Sequence, residues 1–127
     1  NGPNNIYVRE KISEDNMFIK LLEGMLTFLN PDKAYDLVNK SYLKAIKLLE
    51  IENTAQLKIR YIFHNCCMIE RLIQNEILSY DDVDRLIQKN ISIYKKIKFA
   101  LTDIEENLGI TIPDTEIGYI IDLFGTQ

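Results

Sequence analysis

The run RYIFHNCCMIERLI, residues 60–73, holds the chain's one histidine, His64, between Arg60 and Arg71. An imidazole has an unperturbed pKa of about 6.5, so near neutral pH its uncharged nitrogen is a good acceptor for a phosphoryl group. Neighbouring guanidinium groups disfavour imidazolium and keep the ring nucleophilic. They also pair with an attached phosphate through charge-assisted hydrogen bonds. A helix turns by about 100° per residue. With Arg60 at zero, Cys67 then falls at roughly −20°, Arg71 at roughly 20°, His64 at roughly 40° and Asn75 at roughly 60°. The expected core-facing set, Ile62, Cys66, Ile69 and Ile73, spreads over roughly 180° to 240° on the opposite side. Two readings stay open at this point: a phosphate site, or a half-buried polar seam satisfied by neighbouring helices. Metal binding by His64 and Cys67, three residues apart, supplies two ligands and does not close a tetrahedral site. Cys66 is expected to pack as a small apolar residue.

Other chemistries find no support. A di-iron bundle built on paired Glu-x-x-His needs two histidines, as does an HExxH zinc site. The sequence has no GxxxxGK[ST], GxGxxG or GxSxG and no catalytic constellation, so no enzyme activity and no cofactor are expected. The chain has 127 residues, 46% of them hydrophobic and 27% charged, which suits one globular domain. Its 19 acidic against 15 basic residues argue against a nucleic-acid module, which shows a basic stripe. The longest run without charge is the nine residues Tyr61 to Ile69, far short of the about 20 that span a bilayer. NGPNN at the start lacks the apolar core of a signal peptide, and no Met precedes it, so an excised fragment is expected. Residues 1–12 are expected to be unstructured or left over from cloning, with the domain occupying 13–127. Neighbouring cysteines cannot bridge within an ordinary helix, which fits a reducing, cytoplasmic setting.

The apolar spacing is helical nearly throughout. A first helix is expected from Ser13 to Leu29, burying Phe18, Leu21, Leu22, Met25, Phe28 and Leu29. Asn30-Pro31 ends it and starts the next, with Asn as cap and Pro in the first turn. That second helix runs to about Glu50, with Ala34, Leu37, Val38, Ser41, Ala45, Leu48 and Leu49 on one face. Asn53-Thr54 opens the third, with Gln56 completing a weak capping box, and it continues to about Asn75. Asp81-Asp82 caps a fourth helix that runs unbroken to Leu108, with Asn90 on its apolar stripe and Gly109 as a left-handed stop. A last helix starts at Pro113 and ends near Gly125. These five helices predict an all-α bundle. Glu70 reads as a solvated edge able to bond Gln74. The acidic PDTE at 113–116 could receive a basic partner but already suits a helix start. The tyrosines read as core-edge residues.

HNCCMIERLI resembles the histidine-bearing helix of the PTS regulation domain, the helical module of bacterial sugar-operon regulators. It is most similar to the version in levansucrase-regulator-type activators that work with sigma-54 polymerase. The matching positions are His64, Cys67, Met68, Ile69, Glu70, Arg71 and Leu72, and Asn30-Pro31 fits the same subgroup. The closing LGITIPDTEIGYI resembles the family's ending through Gly109, Ile110, Ile112, Pro113, Glu116, Ile117, Tyr119 and Ile120.

The resemblance covers roughly Ser13 to Phe124. It implies a five-helix fold, often dimeric, that phosphotransferase-system proteins phosphorylate on histidine. His64 matches the family's first histidine, and Arg71 the arginine seven residues on. Many members carry a second histidine where Leu123 stands here, and antiterminator members often have Asp where Phe63 stands. His64 is therefore the one expected phosphoacceptor, with Arg71 and Arg60 stabilising the phosphate. The implied donors are the phosphocarrier HPr or a IIB component. The implied ATPase and DNA-binding domains lie outside this chain, and no direct nucleic-acid or membrane contact is expected. A homodimer is expected, and the rival expectation is a degenerate dimerisation or docking module that is never phosphorylated.

Overall fold

A computed structural model describes residues 3–125, with side chains placed at Lys11 and from Ser13 onward. Asn1, Gly2 and the last two residues lie outside the described residues, and the first two fall in the segment 1–12 expected to be unstructured. The helices among the described residues are α1 (Pro3–Glu23), α2 (Pro31–Leu49), α3 (Ala55–Ile73), α4 (Val83–Lys89), α5 (Ile91–Ala100), α6 (Thr102–Leu108) and α7 (Asp114–Gly125). No strand occurs among them. The bundle is all-α as expected, but it has seven helical pieces where the spacing predicts five.

The extra pieces come from the expected fourth helix. Asn90 leaves the helical region, at φ −128° and ψ 39°, and its side-chain Nδ2 donates to the Leu86 carbonyl at 2.9 Å. Asn competes with the backbone for local hydrogen bonds in this way, which makes it a corner residue. The chain restarts as α5 with Tyr94 N donating to the Asn90 carbonyl at 2.8 Å. The break at Leu101 is shallow, because Leu101 N still reaches the Ile97 carbonyl and Glu105 N the Leu101 carbonyl.

Other boundaries also move. The helix expected from Ser13 begins at Pro3 and stops at Glu23, so it takes in most of the segment expected to be unstructured. Pro3 suits a first turn, and no Gly or further Pro intervenes before Gly24. Of its expected core face only Phe18 and Leu22 are buried; Leu21, Met25 and Phe28 are exposed. Asn30 caps α2 as expected, accepting from Lys33 N at 3.1 Å. Thr54, not Asn53, caps α3, accepting from Leu57 N at 3.1 Å. Asn53 instead takes the Tyr42 hydroxyl at 2.6 Å. Asp82 precedes α4 in a left-handed conformation and makes no capping bond. Gly109 stops α6 at φ 63°, as its type predicts.

The core lies between α2, α3, α5 and α7. Val38, Tyr42, Tyr61, Ile62, Ile69 and Ile97 are fully out of water, each contributing roughly 1.5–3 kcal/mol where its type is large and apolar. Tyr42 and Tyr61 are thus interior residues and not the edge residues expected. Ile73, expected in the core, is exposed at the end of α3. Ser41 Oγ donates to the Ala100 carbonyl at 2.9 Å and lies 2.6 Å from the Tyr61 hydroxyl, so α2, α3 and α5 share one buried polar link. Gly118 lets α7 close onto α4: a Cβ there would lie 2.8 Å from Val83 Cγ2. Among the described residues no helix is long and apolar enough to cross a membrane.

Candidate functional site

Helix α3 brings His64, Cys67 and Arg71 onto one half-buried stripe, as the spacing predicts. The His64 ring is partly exposed, but its Nε2 is buried and has no hydrogen-bond partner. An unbonded buried nitrogen carries a proton poorly, and burial pushes the imidazole below its usual value of 6.5. Two charges act on the ring besides: Glu116 favours imidazolium and Arg71 disfavours it. The net direction is downward, which favours the uncharged ring.

Arg71 does not point at an empty site. Its guanidinium forms a two-pronged pair with Glu116, Nη1 to Oε2 at 2.5 Å and Nη2 to Oε1 at 3.1 Å. The Glu116 side chain is fully buried while that of Arg71 keeps 21% of its exposure. Glu116 Oε2 also accepts from Leu78 N at 3.1 Å. The pair therefore ties α3 to the first turn of α7 and to the link before α4. The basic partner that PDTE could receive is a residue of this same chain. A carboxylate in the first turn of α7 also meets the positive end of that helix.

Arg60 is exposed, and no hydrogen bond or ion pair to it is found among the described residues. It shares the stripe but not the cluster. Cys66 is buried, and burial pushes its thiol up to about 12, so it is an inert core residue. Among the described residues no three His, Cys, Asp or Glu side chains gather as metal ligands would. Leu123, where many members carry a second histidine, packs half-buried against the core.

Glu70, read as a solvated edge, is a buried acceptor. Its Oε1 takes Thr27 N at 2.7 Å, and its Oε2 takes Phe28 N and Leu29 N, both at 2.9 Å. Three consecutive amides thus converge on one carboxylate beside Arg71. The turn between α1 and α2 has no helix to use those amides, which is the signal that could have pointed to a distant acceptor. Gln74 bonds the Glu70 backbone carbonyl instead, at 3.2 Å.

Fold and site together define an all-helical domain with a half-covered histidine on the same helix face as a partly buried Arg–Glu pair. The chain belongs to the PRD domain family, whose profile matches residues 33–127. It is also similar to the Transcriptional regulatory protein DagR of Salmonella typhimurium, 24% identical over 98 residues. That match covers 77% of this chain and 10% of DagR, so the chain spans about a tenth of its relative's length. No solved structure matches the chain.

Proposed function

We propose that this domain is the phosphorylatable switch of a bacterial sugar-operon transcriptional regulator, and that His64 receives the phosphoryl group from HPr or a IIB component. The observation that carries this reading is the half-exposed His64 ring on the same face of α3 as Arg71, with an unbonded Nε2 and with burial disfavouring its charged form. Membership of the PRD domain family and the similarity to a transcriptional regulatory protein support the regulatory setting.

In the step itself the lone pair of an imidazole nitrogen attacks phosphorus on the docked donor. A nitrogen–phosphorus bond forms, and the bond from phosphorus to the donor's own nucleophile breaks with its electron pair staying there. That nucleophile regains its proton from water, and the phosphorylated ring releases its remaining N–H proton to water. Nε2 is covered in this arrangement, so the docking protein has to part the side chains over it. The donor supplies the remaining catalytic machinery; this chain supplies nucleophile and counter-charge from Arg71, with Arg60 a second cation at the rim of the stripe. The added charge of about −1.5 to −2, by analogy with other phosphorylated side chains, biases helix packing or a homodimer interface. The change then passes to attached ATPase and DNA-binding domains of a sigma-54-dependent activator in the cytoplasm. The domain regulates and does not itself catalyse.

The covered Nε2, together with Leu123 at the second histidine position, favours one alternative: a dimerisation or docking module that carries no phosphate. Incubating the chain with phosphoenolpyruvate, the general phosphotransferase enzyme and HPr or the IIB component separates the two. Acid-labile label on wild type that His64→Ala abolishes is expected. Label retained by His64→Ala overturns the site, and no label on wild type from either donor favours the docking module.

A further inference from the structure

Glu116 is a fully buried carboxylate that, among the described residues, pairs with Arg71 and accepts from the Leu78 amide. Arg71 lies seven residues after His64, two turns along the same face of α3, with its side chain still partly in solvent. The two charges that act on the imidazole are these same two groups. A phosphoryl group on His64 would therefore put a second anion beside the guanidinium that Glu116 already occupies. Arginine binds carboxylate and phosphate through the same planar fork, and the phosphate carries the larger charge.

We propose that phosphorylation of His64 exchanges the partner of Arg71, from the Glu116 carboxylate to the phosphoryl group. Glu116 is thus the positioning residue that sets how long the phosphate stays, and this rests on the reading of His64 as the phosphoacceptor. With the bare histidine, Glu116 holds Arg71 ready in the cluster and neutralises it. With the phosphorylated histidine, Arg71 turns outward to the new anion through its exposed edge. Glu116 is left buried without its cation, which a low-dielectric interior does not tolerate. The carboxylate then moves toward water and lets go of Leu78 N. The joint between α3, α7 and the link before α4 loosens, while the neighbouring Glu70 clasp on the turn between α1 and α2 stays closed. Phosphate chemistry at one ring thus becomes a change of helix packing about two turns away.

Two measurements test this. The first is hydrogen exchange at the Leu78 amide, by NMR on the wild-type chain, with and without phosphoenolpyruvate and the donor proteins. Protection that falls on phosphorylation is expected; unchanged protection on a chain that carries label at His64 overturns the exchange. The second is the lifetime of the phosphohistidine in Glu116→Gln, which removes the competing charge and keeps the shape. The lifetime is expected to lengthen by roughly three- to tenfold, the scale of up to one pK unit for a neighbouring like charge. A merely structural role for Glu116 predicts a shorter or equal lifetime, and either result overturns the proposal. If wild type and Glu116→Gln both refuse label, the phosphoacceptor reading itself has failed, which a labelled chain with an unmoved Leu78 amide does not imply.

Discussion

Partial withdrawal from water disfavours the charged form of His64, and that has a sign. Its folded-state pKa lies below the unfolded value of 6.5, so below about pH 6.5 the unfolded chain binds the extra proton. Stability from this group is present above that pH and is lost as the pH falls through the folded value. Denaturant unfolding of wild type from pH 7.5 down to 5 should show a decline that His64→Gln reduces; parallel curves would mean that burial does not disfavour the charged ring. Glu70→Gln keeps the size but replaces an acceptor with a donor facing three amides. We expect a loss of about 1–3 kcal/mol in denaturant titration, the cost of unsatisfied buried groups. The stripe of His64 and Arg71 was legible in the sequence because it follows from helical spacing alone. Glu116 and Glu70 were not, because their partners lie 45 and about 40 residues away and spacing carries no such information.

Among the helices, caps and breakers spoke more clearly than apolar stripes. Asn30-Pro31 and Gly109 were readable since each residue type has one local job there. The stripe from Val83 to Leu108 concealed the corner at Asn90, because a continuous apolar face does not require a continuous helix. Gly118 marks the tightest approach between elements. Alanine there gains up to about 1 kcal/mol of helix propensity but overpacks against Val83 at a cost of about 1–3 kcal/mol. Gly118→Ala should therefore lower stability by about 1 kcal/mol net, an offset of the two effects. In a Val83→Ala background the same change should cost less, with only the Tyr80 ring, 3.1 Å from the added Cβ, left to give way. A thermal or chemical unfolding cycle on the four chains checks this, and equal effects in both backgrounds would refute it.

For the molecule as a whole, the folded unit reaches beyond the stretch that matches the family. The match starts at residue 33, yet Phe18 and Leu22 of α1 are buried and Phe18 stacks on Tyr35 with ring centres 5.3 Å apart. Asp15 accepts the Tyr35 hydroxyl at 2.6 Å, and Lys58 pairs with Glu14 at 2.6 Å. Deleting residues 1–24 should remove about 3–6 kcal/mol, from two large apolar side chains at roughly 1.5–3 kcal/mol each. The thermal midpoint should then fall by about 10 °C or more; a fall of under a few degrees would show α1 to be dispensable. The all-helical class was legible from the period of the apolar residues. The reach of α1 was not: NGPNN is polar, and Ile6, Tyr7 and Val8 are consecutive in place of a spacing of three and four.

The turn after α1 is gripped by its main chain: the amides of residues 27, 28 and 29 are what Glu70 holds. Side-chain identity at Thr27 and Phe28, both pointing outward, is thereby decoupled from fold integrity. Proline is the one residue type barred there, for want of an N–H. Drift at these two positions should consequently diversify the outer surface of sister domains while the backbone path stays the same.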